Sequence, residues 1–225
     1  MIKQFIGSRG PYYLRFAKLN LFHKSAIIKD PIGCFLCEYL YLQFRIKPVI
    51  IIKHPISFIA SLKRVNFWPT LTKISNTPDL IEDYFPNESH IFSQEWPDRI
   101  SAACAFWRVV YKVLLTQANR YSDWQIITHE ELSQRPITVF KDLYDNLNLP
   151  WSPSVEQKIS KQTQSRDSTE AKKGVVQDFN RDSSNIFNAR LKSTPVEERR
   201  LIFDIVKDVA LDIYSEESFA LQDEF

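Results

Sequence analysis

The sequence predicts an α/β fold in which a short central parallel sheet is flanked by helices. Residues 26–28 and Val49–Ile52 are continuous apolar runs rich in β-branched residues, which is typical of strands buried on both faces of a parallel sheet. A helical pattern separates the two runs, so a β-α-β unit with a right-handed crossover is expected. Each run ends in a Lys-x-Pro turn, Lys29-Asp30-Pro31 and Lys53-His54-Pro55.

The composition is that of a single folded domain spanning residues 1–225. Hydrophobic residues make up 44% and charged residues 25% of the chain, as in ordinary globular proteins. The net charge of +2 supplies no global basic field, so no nucleic-acid partner is expected and any anion site must be local. The three cysteines are too few for a disulfide framework. Cys34 and Cys37 form a C-x-x-C motif in an apolar helical pattern, which leaves core packing and redox or metal chemistry open.

The chain shows no recognisable targeting or membrane segment. It opens without the pattern of a secretory signal, and no apolar run is long enough to cross a bilayer. We therefore expect a cytoplasmic protein without a membrane span.

The first part of the chain predicts an irregular segment followed by two helices around the second strand. Residues 1–24 are basic and aromatic, with a glycine-proline turn, and are expected to be irregular. Apolar residues recur at helical spacing from Cys34 to Phe44. Pro55 suits the first turn of the next helix, where its missing N–H costs nothing. The buried side of that helix is expected to carry Ile56, Ile59, Ala60 and Leu62.

The middle of the chain changes from an irregular to a strongly periodic pattern. Residues 66–98 contain prolines and aromatic residues without a sustained period. They predict short helical turns that either shape an acceptor pocket or form a surface excursion without a ligand. Asp98 is the expected N-cap of the following helix. Its apolar stripe consists of Ile100, Ala103, Trp107, Val110, Leu114 and Ala118.

The last part predicts a third strand, two helices and a polar segment between them. Residues 124–128 read as a strand, and a helix follows from Pro136 to about residue 148. Residues 152–193 are polar, which indicates either disorder or a lid that orders on a ligand. A capping box, Thr194-Pro195-Val196-Glu197, is expected to start the final helix. That helix is predicted to bury Leu201, Ile205, Val209 and Ile213.

The carboxyl ends of the predicted strands form the candidate site, because ligands of open α/β sheets bind there. Lys53 ends one strand, and Ser61 follows it by eight residues on the adjoining helix. A cation and a hydroxyl so placed can reach one phosphate; alternatively, Lys53 is a solvated strand end and Ser61 a packing residue. Lys29 ends the other strand, where it can neutralise charge on a transferring group.

Two further residues near this edge have several possible roles. Asp30 can serve as a general base, an ion-pair partner or a turn residue. His129 directly follows the third strand, although a lone histidine is more often structural. No cluster of His, Cys, Asp or Glu has the spacing of metal ligands, so no metal site is predicted.

The chain resembles sulfotransferases that use 3′-phosphoadenosine 5′-phosphosulfate, in particular their bacterial branch. The resemblance depends on the order and spacing of several motifs from Lys29 onward, and no single motif is specific by itself. The matching segments are Ile28-Lys29-Asp30-Pro31, Glu38-Tyr39-Leu40, Lys53-His54-Pro55, Ser61-Leu62-Lys63-Arg64, Phe106-Trp107, Tyr111, His129-Glu130-Glu131-Leu132 and Arg181-Asp182-Ser183.

The resemblance implies a three-layer fold like that of P-loop NTPases and an in-line transfer of a sulfuryl group to a hydroxyl or amine. It places Lys53 and Ser61 on the 3′-phosphate of the cofactor, with Arg181 and Ser183 as a second contact. Lys29 lies near the sulfuryl group in this assignment, and His129 lies against the adenine. Lys29 is thus a candidate catalytic residue, and the neighbouring Asp30 is the other, on its position rather than on the resemblance. The acceptor is expected to be a small molecule, a glycan, a lipid or a peptide.

The chain departs from the family pattern at three places. Many members of the family have a histidine or glutamate as base, whereas Pro31 follows Lys29-Asp30 here, so the resemblance assigns no base. Lys53 replaces the usual arginine, which keeps the charge but loses the bidentate fork. The first strand and the 5′-phosphosulfate loop, expected tens of residues before Lys29, are missing, which predicts an N-terminally truncated form that binds nucleotide but catalyses poorly. The alternatives are a remnant that binds nucleotide or a partner protein, and a P-loop kinase relative. The lack of Gly-x-x-x-x-Gly-Lys-Ser/Thr argues against the kinase.

Overall fold

A computed structural model describes residues 27–29, 33–72, 74–163 and 185–222 of the chain. The described residues are mostly helical and contain one small sheet. The strands are β1 (Val49–Ile52) and β2 (Gln125–Thr128). The helices are α1 (Cys37–Phe44), α2 (Pro55–Val65), α3 (Pro78–Tyr84), α4 (Arg99–Ala118), α5 (His129–Gln134), α6 (Pro136–Asn146), α7 (Pro153–Thr163), α8 (Ile186–Ser193) and α9 (Val196–Ala210). Short 3₁₀ helices occur at Gly33–Leu36, Ser89–Phe92 and Glu216–Phe219.

The sheet consists of β1 and β2 in parallel orientation. Val49 pairs with Gln125 and Ile52 pairs with Thr128, so both strands end at the same level. The predicted strands at Val49–Ile52 and near residues 124–128 are thereby confirmed, and the molecule has an α/β fold. Because parallel strands need a crossover, the chain between them passes through α2, α3 and α4.

The predicted first strand is wrong for the residues that are described. Ile27, Ile28 and Lys29 have no strand structure and are exposed, while residue 26 lies outside the described part of the chain. The expectation of burial on both faces is also wrong for β1. Its Ile50 and Ile52 are buried, whereas Ile51 is 49% exposed. Successive side chains alternate between faces, so β1 faces the core on one side only.

Helix α4 lies between two hydrophobic clusters. Ala103, Trp107 and Leu114 belong to the cluster shared with β1, α2 and α9, as the predicted stripe requires. A second cluster covers another face of α4, where Val109 and Val113 are buried. The residues packed there come from the segment between α2 and α4, which sequence patterns described only as irregular. These are Leu71, Ile74, Phe85, Ile91 and Phe92.

The remaining helices pack around this centre. Helix α9 packs against α4 and α2, and α8 packs against α2. Helix α6 packs against α5 and α7, and none of its residues is fully buried. None of the helices in the described ranges is long and apolar enough to cross a membrane.

The predicted polar segment 152–193 contains helices at both of its ends, α7 and α8. Residues 164–184 lie outside the described residues, so the lid remains a prediction. The predicted capping box of the final helix is wrong: α9 begins after Pro195 without a side-chain cap. Thr194 Oγ1 donates instead to the carbonyl of Arg190, at 2.7 Å. A capping box does occur at the start of α5, between Thr128 and Glu131.

The predicted N-cap of α4 is confirmed. Asp98 Oδ1 accepts hydrogen bonds from the backbone N–H groups of Ile100 and Ser101, at 2.7 and 2.8 Å. We expect Asp98→Ala to lower the free energy of unfolding by about 1 kcal/mol, because two N–H groups of the first turn lose their acceptor. Urea unfolding measures the change. Asn185→Ala is the control, since Asn185 precedes α8 without a side-chain cap bond; equal losses in both variants would contradict the prediction.

Candidate functional site

Lys53 and Ser61 contact each other at the carboxyl end of β1. Strand β1 ends at Ile52, and α2 begins at Pro55. Lys53 Nζ donates a hydrogen bond to Ser61 Oγ at 2.6 Å, and Ser61 Oγ donates to the carbonyl of Ser57 at 2.9 Å. The spacing of eight residues thus brings the ammonium and the hydroxyl together, as the sequence predicts. The pair offers one positive charge and one hydroxyl to a ligand at this edge of the sheet.

Aromatic side chains hold the backbone at the end of β1. Trp107 Nε1 donates to the carbonyl of Lys53 at 2.8 Å. The Tyr111 hydroxyl donates to the carbonyl of Ile51 at 3.3 Å. The Tyr214 hydroxyl shares its one proton between the carbonyl of Ile52, at 3.3 Å, and Glu130. The carbonyls of three successive residues are therefore bonded to side chains from α4 and from the segment after α9. These bonds fix the direction in which the Lys53 side chain leaves the strand.

Glu130 connects the two strand ends. Its two carboxylate oxygens lie 3.3 and 3.2 Å from the backbone N–H of His54, and its Oε2 accepts from the Tyr214 hydroxyl at 3.0 Å. Burial raises the pKa of Glu130 above its usual range, although these hydrogen bonds and the charge of Lys53 act to lower it. Glu130 therefore ties the turn that follows β1 to the first turn of α5, the helix that follows β2.

Sequence reasoning did not select Glu130 as a site residue. The available signal was its position, because Glu130 follows β2, whose carboxyl end must lie beside that of β1 in a parallel pair. Tyr214 had no comparable signal, since it comes from a distant part of the chain, after α9.

His54 is buried beneath this turn. Its ring centroid lies 4.7, 4.7 and 4.5 Å from those of Phe187, Tyr214 and Phe219. Nδ1 accepts the N–H of Ile56 at 3.3 Å, and Nε2 lies 3.1 Å from Ser218 Oγ. Because Nδ1 is an acceptor, the ring proton belongs on Nε2. Burial lowers the pKa of His54 to about 3, so the ring is neutral at physiological pH and caps α2.

Of the other predicted site residues, only His129 lies near the end of the sheet in the described part of the structure. His129 is half-buried as the first residue of α5, and its Nδ1 lies 3.4 Å from Ser133 Oγ. With Ser57 and Glu130 it lines a small cavity next to the turn. Lys29 is exposed on a stretch without strand structure, so its predicted place at a strand end is wrong. Asp30, Arg181 and Ser183 lie outside the described residues.

Arg190 is a cation near Ser61 that sequence reasoning missed. Its side chain is buried, and Nη1 donates to the carbonyl of Ser57 at 3.2 Å. Because the same carbonyl accepts from Ser61 Oγ at 2.9 Å, the two donor atoms are no more than about 6 Å apart. Arg190 belongs to a stretch that composition described as a polar lid, which is why no signal selected it.

Segment 66–98 does form a cavity, of about 380 Å³. Its lining includes Leu71, Phe92 and Trp96, and Ala102 closes it on the side of α4. At 100° per residue, Ala102 lies about 140° around α4 from Trp107, which contacts Lys53. The cavity and the Lys53–Ser61 pair therefore lie on different sides of α4.

Comparisons with known proteins found no relative of this chain. A scan against models of protein families, a search of curated proteins and a search of solved structures each returned no match. Among the residues that the structure describes, no group of three or more His, Cys, Asp or Glu side chains is arranged to hold a metal ion.

Proposed function

We propose that the chain is a sulfotransferase-like protein that binds 3′-phosphoadenosine 5′-phosphosulfate on a P-loop-NTPase-like fold. In this proposal it transfers the sulfuryl group to a hydroxyl or amine of an acceptor. The observation that carries the proposal is the 2.6 Å contact between Lys53 Nζ and Ser61 Oγ at the carboxyl end of β1. That contact assembles a charge and a hydroxyl where the motif resemblance requires a 3′-phosphate contact.

The surroundings of the pair suit a phosphate. The N-terminus of α2, an 11-residue helix, lies next to Lys53, and its dipole favours a negative charge there. Arg190 adds a second cation close to Ser61. A phosphate that reaches the pair would take the Lys53 ammonium from Ser61 Oγ and the Ser61 proton from the carbonyl of Ser57. Two hydrogen bonds within the protein would thus be replaced by two to anionic oxygens. Lys53 supplies charge without the directional fork of an arginine, so it orients the phosphate less strictly.

The remaining roles in the proposal follow from the resemblance. Lys29 stabilises the charge of the transferring sulfuryl group. The resemblance assigns no base, and Asp30 is the candidate only because it lies next to Lys29 in the sequence. His129, half-buried beside Glu130, packs against the adenine. Arg181 and Ser183 provide further contacts with the 3′-phosphate. Glu130 is assigned to positioning, because both of its oxygens already accept hydrogen bonds.

Ligand-induced thermal stabilisation tests the proposal. We expect adenosine 3′,5′-bisphosphate at 100 times its Kd to stabilise the protein by about 2.7 kcal/mol, which raises the Tm by about 5 to 10 °C for a chain of this size. Lys53→Ala should remove this shift, because the phosphate loses its nearest cation. Differential scanning calorimetry measures both.

Two comparisons make this test specific. Lys47→Ala is the matched control, since Lys47 is exposed and precedes the opposite end of β1, and it should keep the full shift. Adenosine 5′-monophosphate should give a smaller shift than the bisphosphate. The absence of any shift in the parent protein at millimolar bisphosphate would overturn the proposal.

A second candidate is a protein that binds the nucleotide without transferring a group. The observation that favours it is the exposed position of Lys29 outside any strand. Labelled sulfate on the donor distinguishes the two candidates, because the second predicts the same Lys53-dependent binding with no label on any acceptor.

A further inference from the structure

Three large hydrophobic side chains of α1 are exposed. Tyr39, Leu42 and Phe44, named here the α1 surface, are 57%, 58% and 65% exposed. Ile27 and Ile28 are exposed as well, so half of the ten exposed large hydrophobic side chains in the described residues lie between positions 27 and 44. Single exposed apolar residues are ordinary, but a concentration of them in one short stretch is typical of an interaction surface.

The α1 surface lies on the side of α1 that faces away from the core. Tyr41 marks the inner side, because its ring centroid lies 4.7 Å from that of Tyr121 and 5.7 Å from that of Trp124. At 100° per residue, Tyr39 lies about 160° around the helix from Tyr41, and Leu42 lies about 60° from Tyr39. The Phe44 ring joins them, with its centroid 6.4 Å from that of Tyr39. The three side chains therefore form one outward patch.

The charged groups next to this patch are positive. Arg45 directly follows α1, Lys47 lies two residues further, and both are exposed. Neither belongs to an ion pair among the residues that the structure describes. Glu38, the acidic residue of α1, accepts hydrogen bonds from Arg120 Nη1 and the Tyr121 hydroxyl, each at 3.0 Å. The carboxylate of α1 is thus paired within the protein and does not offset the two cations.

The sequence up to this point also carries an excess of positive charge. Residues 1–47 contain eight lysines and arginines and two carboxylates, a net charge of +6, whereas residues 48–225 carry a net charge of −4. Such an asymmetry, in a chain whose total charge is only +2, indicates an anionic partner for one region of the protein. The same region carries the exposed apolar side chains, which a purely electrostatic partner would leave in water.

An anionic bilayer matches both properties. Its head groups attract lysine and arginine side chains, and the boundary between head groups and acyl chains takes up apolar ones. Tyrosine suits this boundary because its ring is apolar and its hydroxyl stays hydrated.

We propose that the α1 surface, together with Arg45 and Lys47, docks on a bilayer that contains anionic phospholipid. Leu42 and Phe44 enter the boundary with the acyl chains, and the two cations remain at the level of the phosphates. Helix α1 has eight residues, far fewer than the roughly 20 that cross a bilayer, so the binding is peripheral. The inference does not depend on the sulfotransferase proposal, because Lys53 and Ser61 are not part of this surface.

Co-sedimentation of the full chain with vesicles tests the proposal. One set of vesicles contains phosphatidylcholine with about one third phosphatidylserine, and the other contains phosphatidylcholine alone. We expect the parent protein to bind the anionic vesicles at least about tenfold more tightly, because the neutral vesicles do not attract Arg45 and Lys47.

The apolar contribution is tested by replacing the α1 surface. The triple variant Tyr39→Gln, Leu42→Gln and Phe44→Gln should bind the anionic vesicles at least about tenfold more weakly, because it buries less apolar area. The matched control is Phe67→Gln with Leu211→Gln, at two exposed hydrophobic residues elsewhere. It should bind within about twofold of the parent.

The charged contribution is tested separately. Arg45→Gln with Lys47→Gln should bind the anionic vesicles at least about fivefold more weakly, since each cation near the membrane contributes about that factor. Lys158→Gln with Lys161→Gln removes two exposed lysines of α7 and should stay within about twofold of the parent.

Several results would overturn the proposal. They are no binding of the parent to anionic vesicles at millimolar lipid, equal binding to neutral vesicles, or unchanged binding in either the triple variant or the Arg45 and Lys47 variant. Tighter binding to duplex DNA than to the anionic vesicles would assign the cations to a nucleic acid instead.

Two measurements without lipid exclude the other occupants of the α1 surface. If the triple variant lowered the Tm by more than about 5 °C, another part of this chain would cover the surface. If it converted a dimer into a monomer in sedimentation velocity, a second copy would cover it. Because the bisphosphate shift is tested through Lys53 in the absence of lipid, failure of one proposal is distinguishable from failure of the other.

Discussion

Acidification from pH 7.5 to 4.5 is expected to lower the free energy of unfolding by about 2.7 kcal/mol through His54 alone. Burial lowers the pKa of His54 to about 3 in the folded protein, whereas the unfolded chain binds this proton near pH 6.5. Between these values the unfolded state binds more protons, so stability rises with pH and is lost as the pH falls below 6.5. The limiting slope is about 1.4 kcal/mol per pH unit.

Urea unfolding of the parent protein and His54→Asn, at several pH values in this range, checks the prediction. Asparagine keeps an acceptor for the N–H of Ile56 but does not titrate, so the slope that His54 causes should disappear. His90→Asn is the matched control, because His90 lies in a short 3₁₀ helix and is exposed. An unchanged slope in His54→Asn would contradict the assignment.

Glu130, which lies next to His54, titrates in part of the same pH range and has the opposite effect on stability. The ring of His54 faces Phe187, Phe219, Ser218 and Tyr214, and its backbone N–H faces Glu130. The pKa of Glu130 is raised, so its ionisation above its unfolded pKa costs stability as the pH rises. Glu130 thus offsets part of the His54 effect just above pH 4.5, and Glu130→Gln should make the observed slope steeper there.

Trp107→Ala is expected to lower the free energy of unfolding by about 3 to 5 kcal/mol, since it removes a large buried side chain. Trp107 is 1% exposed in the cluster that joins β1, α4 and α9. Its Nε1 also satisfies the carbonyl of Lys53, so the loss includes one hydrogen bond at the candidate site. Chemical unfolding gives the magnitude.

Two further variants separate packing from the hydrogen bond. Phe67→Ala, at a residue that is 62% exposed, should change stability by no more than about 0.5 kcal/mol. Trp107→Phe keeps most of the packing but leaves the carbonyl of Lys53 without this donor, at a cost of about 1 to 3 kcal/mol. If Trp107→Ala were as mild as Phe67→Ala, the central place of Trp107 in the core would be refuted.

Features that depend on neighbours in the chain were predictable from the sequence. Pro55 at the first helical position, Asp98 as an N-cap and the strand at residues 125–128 all occur as local patterns indicate. The contact between Lys53 and Ser61 was predictable for the same reason. Only the short connection after β1 and less than two turns of α2 separate the two residues.

The phase of α9 shows where local patterns stop being sufficient. The sequence predicted burial of Leu201, Ile205, Val209 and Ile213. Val209 is buried as predicted, and Ile205 and Ile213 are partly buried against the core, but Leu201 is exposed and Ile202 and Val206 are fully buried. Apolar residues lie on adjacent stripes of this helix, so its periodicity allows both orientations. Packing against α4 and α2 selects the second stripe, because these helices supply the buried surface.

The candidate site also combines a part that the local sequence determines with a part that only tertiary packing determines. The ammonium of Lys53 and the hydroxyl of Ser61 lie together because one strand-turn-helix unit carries both residues. Glu130, Tyr214 and Arg190 reach that unit from residues 76 to 162 positions away in the chain, and no local pattern records such distances. The exposure of Ile27, Ile28 and Ile51 has the same cause. An apolar run specifies that a residue can be buried, but only the packing of distant elements determines whether another surface covers it.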